Sequence, residues 1–339
     1  MDLKFLPFLC CPRTGSALHI KIDKKTPGGG VEAGTLISDD GRYEYPVINA
    51  VPRFVDTEYY SNSFGYEWNT WPKVQFESEN IGLPMEGHTT KMFREVTGFT
   101  EEEVRGKSVV EFGCGPGRFL DVVKHMGGTA IGIDLSLAVE AARKNFYDDP
   151  DVLIVQGDIL NPPFRDESFD LGYSIGVLHH TPDPVSGFAS LSRVVKNGGK
   201  VAACVYEKKG FYDFFSVSLF RKIHRFMTSF FGPERAVRIA RRYAVFSANR
   251  LYSLSEHLMK TGRPGSALMG IAERYCIVVT HIPDEKWRIL DTFDAITPFF
   301  ASTHTEEEVR TWYKNLHFAT ITRTGWGTTS FVGTKQKQS

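Results

Sequence analysis

Residues 109–119 combine one carboxylate with three closely spaced glycines, a pattern typical of a nucleotide-cofactor site. The apolar residues around Glu111 predict a buried strand, and the helical pattern that follows Gly117 predicts a helix start. Glycine is needed where the backbone takes a positive φ or passes close to a ligand. A helix N-terminus adds unpaired N–H groups and the positive end of the helix dipole. The segment therefore predicts a strand, a tight turn and a helix that together bind a cofactor.

An acidic residue, Asp134, ends the next strand-like segment, 21 residues after Gly113. A carboxylate at this position can accept hydrogen bonds from ribose hydroxyls. The alternative is a glycine-rich turn followed by an incidental acid. The spacing here is G-x-G-x-G, whereas dinucleotide sites use G-x-G-x-x-G. Glu111 would repel a pyrophosphate but attract an amino group and a sulfonium, so NAD and FAD are disfavoured.

These residues resemble motif I of the class I S-adenosylmethionine-dependent methyltransferases, (Asp/Glu)-x-Gly-x-Gly-x-Gly, and the chain is similar to methyltransferase type 11 proteins. The resemblance implies S-adenosyl-L-methionine as the cofactor. Asp158 matches the residue that binds adenine, and residues 169–180 match motif IV. The cofactor-binding residues that the resemblance implies are Glu111, Gly113, Cys114, Gly115, Gly117, Asp134, Leu135, Asp158, Ile159 and Ser174.

Alternating strand and helix patterns surround these residues and predict a doubly wound parallel sheet. We expect strands near 107–112, 129–134, 152–156, 169–174 and 199–206, and helices near 117–126, 136–147 and 184–195. Ligands of such sheets lie outside the carboxyl ends of the strands, so four strand ends should converge on one crevice. The last two strands appear late, at 317–323 and 328–334, after a helix that starts at Thr305. The expected fold is therefore α/β, Rossmann-like and seven-stranded.

The pattern divides the chain into four parts. Residues 1–58 form a small β module, and 59–105 an aromatic-rich connector. The Rossmann-like domain takes 106–206 and 301–336, interrupted by a mostly helical insertion at 207–300. The connector either docks the β module or acts as a lid over the cofactor. The insertion follows strand five, beside the expected crevice, and is a candidate acceptor site.

Strand-like pieces at 18–22, 35–37 and 43–48 alternate with turns in the β module. Residues 9–15 and 45–54 resemble the Trm112-like zinc ribbon, in which two cysteine pairs hold zinc. Here Cys10 and Cys11 are adjacent, and residues 39–42 contain no cysteine or histidine. We therefore expect a ribbon without metal, the alternative being a zinc site.

His179 and His180 follow strand four, where the transferred methyl group should point. Unperturbed imidazole titrates near pH 6.5, so either residue could act as a general base, and Asp183 is a weaker candidate. The alternative is that a histidine only caps the loop. Asn161-Pro162-Pro163-Phe164 spells a motif of amino-group methyltransferases, but it precedes strand four instead of following it. We interpret it as a plain loop, which disfavours nucleobase or glutamine nitrogen as acceptor.

Residues 207–250 carry ten basic and three acidic side chains. On a helical wheel Arg221, Lys222 and Arg225 share one face, and the opposite face holds Phe215, Leu219, Ile223, Phe226, Met227 and Phe230. One interpretation is a helical cap whose apolar face packs on the domain while the arginines stay solvated. The other is an acceptor site for a phosphorylated molecule, or contact with an anionic membrane surface.

The 339 residues carry 40 basic and 40 acidic side chains, so no global field favours nucleic acid. No apolar run reaches the 18–20 residues or so that span a bilayer, and five scattered cysteines suggest no disulfide framework. We expect a cytoplasmic enzyme that methylates oxygen or carbon of a small molecule, a sugar or a lipid-linked metabolite. The alternatives are an RNA or protein methyltransferase and a non-catalytic cofactor-binding regulator. The oligomeric state is not predicted.

Overall fold

The computed structural model describes residues 1–55, 62–260, 263–279, 281–326 and 329–336. Two predicted features lie outside the described residues. They are the start of the aromatic-rich connector, with Tyr59 and Tyr60, and the start of the last predicted strand at Thr328. Within the described residues no helix is both long and apolar enough to cross a bilayer.

The N-terminal module is a four-stranded antiparallel sheet with the order β1-β2-β3-β4. It follows a short 3-10 helix, Leu3–Phe8, which Asp2 caps through the Lys4 amide. Its strands are β1 (Leu18–Lys25), β2 (Val31–Ser38), β3 (Glu44–Ile48) and β4 (Val51–Pro52). The three predicted strands are thus confirmed, and each is accompanied by the turn residues that the sequence indicated.

The large sheet has seven strands in the order β10-β11-β9-β8-β5-β6-β7. Strands β5 to β9 pair in parallel, and β11 pairs antiparallel with β9 and β10. The strands are β5 (Ser108–Phe112), β6 (Thr129–Asp134), β7 (Val152–Gln156), β8 (Phe169–Ile175), β9 (Val195–Val205), β10 (Thr320–Arg323) and β11 (Thr329–Thr334). The predicted seven-stranded Rossmann-like fold is confirmed.

Helices connect these strands at the predicted places. Before the sheet come α1 (Asn62–Thr70), α2 (His88–Thr97) and α3 (Glu101–Val104), and within it α4 (Arg118–His125), α5 (Ala138–Asn145) and α6 (Pro184–Val194). The helix α12 (Glu306–Asn315) precedes β10, and a Thr305–Glu308 capping box fixes its start. Strand β9 begins at Val195, earlier than the predicted residue 199, and its pairing with β8 is irregular between Phe169 and Leu171.

The N-terminal module covers the β7 edge of the large sheet. Arg53 bridges to Gln156, and its guanidinium binds Glu140 as well as Gln156 Oε1 at 2.7 Å. The Asn161-Pro162-Pro163-Phe164 loop also holds the module, because Pro163 O accepts a bond from Cys10 N and Asn161 donates to Pro12 O. This loop therefore has a structural role here.

The described residues of the insertion form five α-helices: α7 (Phe215–Phe231), α8 (Pro233–Phe246), α9 (Tyr252–Met259), α10 (Arg263–Cys276) and α11 (Glu285–Ile296). A π-helical turn, Ser247–Leu251, joins α8 to α9. Helix α7 packs on α8, and α11 contacts both.

The orientation of α7 contradicts the expectation that its apolar face packs on the domain. Arg221 is buried and donates from Nε to Ala295 O at 2.8 Å, whereas Phe215, Phe226 and Phe230 are exposed. The interpretation of a cap with a buried apolar face and solvated arginines is therefore wrong for α7. The long guanidinium side chain reaches a backbone carbonyl at the end of α11, and this bond offsets part of the cost of its burial, although Arg221 Nη2 has no hydrogen-bond partner.

Candidate functional site

A cavity of about 850 Å³ lies at the carboxyl ends of β5, β6, β8 and β9. Helix α1 covers the cavity on one side with Phe64, Glu67 and Trp68. Helix α11 covers it on another side with Leu290, Asp291 and Asp294. The cavity is thus enclosed by the Rossmann-like domain, the connector and the insertion together.

The glycine turn between β5 and α4 is held against β6. Gly113 N and Cys114 N both donate to Ile133 O, at 2.7 and 3.1 Å. Gly113 has φ +80° and its missing Cβ would overlap the Val177 side chain. Gly115 has φ +51°, and a Cβ there would lie 3.1 Å from Trp68 Nε1. These glycines let the backbone border the cavity directly, as the sequence predicted.

Asp134 fixes the shape of the turn from the end of β6. Its Oδ2 accepts from Gly115 N at 2.9 Å, and its Oδ1 accepts from Ser136 N and Oγ. Burial raises the pKa of this carboxyl, while the three donors lower it. Each carboxylate oxygen can accept more than one hydrogen bond, so Asp134 can also receive hydroxyl donors from the cavity.

Buried acidic side chains and one arginine meet in the interior of the cavity. Glu111 is buried, and Tyr173 Oη donates to its Oε2 at 3.1 Å. Burial raises the pKa of Glu111 well above its usual value and lowers the pKa of Arg118. The Arg118 guanidinium lies among the carboxylates of Asp291, Glu111, Asp294 and Glu67, which favour its charged form.

Helix α1 places an unpaired carboxyl group in the cavity. Glu67 is fully buried and neither of its carboxyl oxygens has a hydrogen-bond partner. Burial, and then the charges of Asp294 and Asp291, raise its pKa well above the usual value. Asn69 Nδ2 binds Leu137 O at 2.8 Å, which fastens α1 over the loop after β6. This position agrees with the lid interpretation of the connector.

His179 and His180 line the cavity, and the backbone fixes a different tautomer for each. His179 Nδ1 accepts from Tyr206 N at 3.3 Å, so its proton is on Nε2. His180 Nδ1 lies 2.9 Å from Phe300 O and must donate to it, so its Nε2 carries a lone pair. Both Nε2 atoms are buried without a hydrogen-bond partner. Burial lowers the pKa of His180 to about 3 and that of His179 well below 6.5.

A pair of aspartates on α11 was missed by the sequence reasoning. Burial, followed by the charge of Asp294, raises the pKa of Asp291 to about 7. Asp294 Oδ2 accepts from Tyr206 Oη at 3.1 Å. Their spacing of three residues, which puts both on one face of an amphipathic helix, was the available signal. Glu67 and Arg118 were also missed, although Arg118 directly follows the glycine motif.

Most of the predicted site residues meet at this cavity. Those that line it are Glu111, Gly113, Cys114, Gly115, Asp134, Leu135, Asp158, Ile159, His179 and His180. Two do not. Ser174 is fully buried and donates to Phe112 O at 2.9 Å, so it holds β8 to the end of β5. Gly117 lies at the start of α4, where a Cβ would overlap the Phe146 ring, so it is needed for packing. Asp183 caps α6 through Ser186 N.

The two adjacent cysteines of the β module are both buried. Cys11 Sγ lies 3.2 Å from Tyr45 Oη, and burial raises the pKa of Cys10 to about 11. Among the described residues no group of three or more His, Cys, Asp or Glu side chains could hold a metal ion.

The donors and acceptors of the cavity fit S-adenosylmethionine. The unpaired carboxyl group of Glu67, together with Glu111, complements an ammonium and a sulfonium. Arg118 complements the amino-acid carboxylate, and Asp134 complements a ribose diol. The side chains that can contact an adenine ring are those of Leu135, Asp158 and Ile159. The fold and this site define a class I, S-adenosylmethionine-binding Rossmann-like domain.

Residues 110–203 match the family model described as "Methyltransferase domain". This part of the chain is therefore similar to methyltransferase domains. The chain is 31% identical over 183 residues to 24-methylenesterol C-methyltransferase 2 of Oryza sativa subsp. japonica, covering 50% of this chain and 46% of the relative.

A second relative, the ubiquinone biosynthesis O-methyltransferase of Thiobacillus denitrificans, is 35% identical over 106 residues, or 30% of this chain and 45% of the relative. The chain thus spans about half the length of these curated relatives. One solved structure, a Haloferax volcanii complex of the Trm112 methyltransferase activator with a putative methyltransferase, aligns with 16% identity and a TM-score of 0.45. That alignment covers 81% of this chain and 97% of the other.

Proposed function

We propose that the protein is an S-adenosylmethionine-dependent methyltransferase whose acceptor is a small, largely apolar molecule methylated on oxygen or carbon. The observation that carries this proposal is the continuity of the cavity. It runs from Glu111 and Asp134, at the cofactor edge, to Trp287 and Leu290 on α11. Cavities of roughly 300–1,000 Å³ are typical of small-ligand sites, and about 850 Å³ lies near the upper end of that range.

The walls of the half nearer α11 favour an acceptor with apolar surface. Met85, Val279, Ile282 and Trp287 form one buried cluster there and also line the cavity. Tyr206 and Tyr212 stack with ring centroids 3.7 Å apart on the side of β9. Apolar walls with a few polar groups are the usual composition of a site that orients a small organic ligand.

Bound S-adenosylmethionine supplies an electrophilic methyl group for an in-line displacement. Positioning therefore does most of the work, and α1 contributes by closing the cavity over Gly115 through Trp68. With the cofactor bound, Glu67 and Glu111 would face its positive charge, and Arg118 would orient its carboxylate. Exclusion of water by α1 and α11 strengthens each of these interactions.

Methylation of a hydroxyl also requires that a proton leave the acceptor oxygen. Among the groups at the cavity that can accept it are His180 Nε2 and the Asp291 carboxylate. A general base works best when its pKa lies near the operating pH. Because the pKa of Asp291 is raised to about 7 and that of His180 is lowered to about 3, we assign the base role to Asp291. His180 Nε2 then accepts a hydrogen bond from a second polar group of the methyl acceptor and orients that molecule.

The two relatives described above support an apolar acceptor but differ in the methylated atom, since one is named for a sterol carbon and the other for an oxygen in ubiquinone biosynthesis. Two other relatives, 31% identical over 121 residues, are named as probable tRNA methyltransferases. An RNA or protein acceptor is the second candidate, suggested by the Trm112-like β module. The equal numbers of basic and acidic side chains over the whole chain weigh against RNA. A non-catalytic regulator would not need the paired aspartates of α11 beside the cofactor site.

The test uses S-adenosylmethionine with an isotopically labelled methyl group. The protein is incubated separately with a lipid extract, an aqueous metabolite extract, total RNA and total protein, and products are identified by mass spectrometry. We expect label in an apolar small molecule, and Asp291→Asn should lose it while Glu285→Gln, an exposed acid on the same helix, should not. Label found only in RNA or protein would overturn the acceptor class, and none in any fraction would favour a regulator.

A further inference from the structure

One face of α7 is an exposed apolar ridge. Phe215, Phe226 and Phe230 expose 76%, 67% and 72% of their surface, and Leu219 and Ile223 are also exposed. Successive residues of this set are three or four positions apart, so all five lie on one side of the helix. The helix has 17 residues, and the ridge runs along about 25 Å of it. We call these five residues the α7 ridge.

The opposite face of α7 is fixed to the protein, so the ridge cannot rotate inward. Val217 is fully buried, and Arg221 binds Ala295 O on α11 at 2.8 Å. Arg225 on the flank donates from Nη1 to Phe299 O at 2.8 Å. These contacts hold the face with Val217 and Arg221 inside and leave five large apolar side chains exposed to water. Ridges of this kind on a protein surface mark interaction sites.

Helix α8 extends the apolar surface. Phe220 of α7 and Tyr243 of α8 are in ring contact, with centroids 4.8 Å apart. Ile239 and Phe246, four residues before and three residues after Tyr243, lie on the same side of α8, and both are exposed. The exposed apolar surface of α8 therefore borders α7.

Unpaired positive charge surrounds this surface. Between residues 215 and 250 there are eight basic side chains and one acid, Glu234, although the whole chain has no net charge. Lys222, Arg235, Arg238 and Arg242 are exposed, and within the described residues none of them has a hydrogen-bond or salt-bridge partner. The positive charge is thus local to the helical hairpin that carries the ridge.

We propose that the α7–α8 hairpin docks on a lipid bilayer that contains anionic lipids. A convex helical ridge of phenylalanine and aliphatic residues, bordered by arginine and lysine, is what an interfacial helix presents to a membrane. Phenylalanines enter the boundary between head groups and acyl chains, and the cations meet lipid phosphates. A second copy of the chain fits less well, because it would bring the exposed Lys222, Arg235, Arg238 and Arg242 against the same cations of the other hairpin.

This inference goes beyond the proposed methyl transfer, since docking needs neither cofactor nor acceptor. It also gives the hairpin a relation to the cavity. Helix α11 contacts both α7 and α8 and lines the cavity with Leu290, Asp291 and Asp294. Docking through α7 therefore brings the α11 side of the cavity near the bilayer.

The test is co-sedimentation of the full chain with vesicles of phosphatidylcholine, alone or mixed with phosphatidylglycerol. The wild type should bind the mixed vesicles and bind phosphatidylcholine alone more weakly. The double variant Phe226→Ser/Phe230→Ser should lose about tenfold or more in affinity because two large apolar groups no longer enter the bilayer. The triple variant Arg235→Gln/Arg238→Gln/Arg242→Gln should lose the preference for phosphatidylglycerol, and high salt should do the same to the wild type.

The matched control is Ile48→Ser/Val185→Ser, which removes two exposed apolar residues outside the insertion and should leave vesicle binding unchanged. All variants should keep the wild-type melting temperature and affinity for S-adenosylmethionine. These two measurements separate the test of membrane docking from the test of the cofactor site. Equal binding of wild type and Phe226→Ser/Phe230→Ser would overturn the proposal. A wild-type dimer in light scattering that the same variant dissociates would assign the ridge to a second copy instead.

Discussion

The Tyr206 hydroxyl group donates a hydrogen bond of 3.1 Å to the Asp294 carboxylate. Tyr206 directly follows β9 of the large sheet, and Asp294 lies on α11 of the insertion. The bond therefore joins the two parts of the chain at the cavity wall. It also fixes the face of α11 on which Asp291 lies one turn earlier, so the aspartate proposed as general base is positioned by a residue of the Rossmann-like domain.

Replacing Asp134 should weaken the binding of S-adenosylmethionine. In Asp134→Ala the ribose acceptor is lost and the Gly115 amide loses its partner. Hydrogen bonds to charged groups contribute about 1.5–3 kcal/mol, so we expect a loss of that size in the free energy of S-adenosylmethionine binding, measured by calorimetry. The control is Asp170→Asn. Asp170 lies at the start of β8 and accepts a hydrogen bond from Ser108 N, so this variant should leave the affinity for S-adenosylmethionine unchanged. Unchanged affinity in Asp134→Ala would contradict the assignment of the site.

Activity should rise with pH through about 7. Burial and the neighbouring Asp294 raise the pKa of Asp291 to about 7, and the base must be deprotonated to act. We expect kcat to reach a plateau above that pH. Asp291→Asn should lower kcat by about 10²–10⁴ and remove this pH dependence. A pH profile of Asp291→Asn that matches the wild type would exclude the residue as the base.

The raised pKa of Asp291 also predicts how the stability of the protein depends on pH. The folded protein keeps a proton on Asp291 up to about pH 7, whereas the unfolded chain releases it near the ordinary value of 3.8. The folded state therefore binds more protons in this window, and its stability falls as pH rises through it. Asp291→Asn should raise the melting temperature relative to wild type at pH 8, and have a smaller effect at pH 4. Glu285→Gln serves as the control, and a lower melting temperature for Asp291→Asn at pH 8 would contradict the shift.

Gly117 should be needed for stability and not for cofactor contact. It has φ +92°, and a Cβ there would overlap the Phe146 ring. Gly106 has a similar φ of +69° but no atom within 4 Å of the added Cβ. In urea unfolding we expect Gly106→Ala to cost about 1–2 kcal/mol from the backbone alone, and Gly117→Ala about 1–3 kcal/mol more from overpacking. Equal costs would mean that Phe146 moves aside freely.

The N-terminal module should hold no zinc. Cys10 and Cys11 are buried, and Cys11 contacts the Tyr45 hydroxyl at 3.2 Å. Elemental analysis of the purified protein should find no stoichiometric zinc, and chelators should leave the melting temperature unchanged. One zinc ion per chain that survives dialysis would overturn this prediction.

The sequence alone determined the parts of the protein that depend on local pattern. Alternating apolar segments and helix starts were enough to predict the parallel sheet, because each strand and its following helix obey short-range periodicity. Gly113, Gly115 and Asp134 were also recognisable, since a strand end, a tight turn and the next strand end converge in any doubly wound sheet. Ser174, also predicted to bind the cofactor, is buried and does not line the cavity, because position at a strand end does not say which way the side chain points.

Tertiary structure decided everything that depends on packing between distant segments. The helical wheel of α7 correctly placed Arg221 and the phenylalanines on different faces. It could not predict which of these faces packs against the rest of the protein. Arg221 points inward because α11, about 70 residues later, offers the Ala295 carbonyl, and the phenylalanines are left outside. In the same way Asp291 and Glu67 acquire their raised pKa values only when α11 and α1 close over one cavity. Burial and charge arise from these contacts, and no local pattern encodes them.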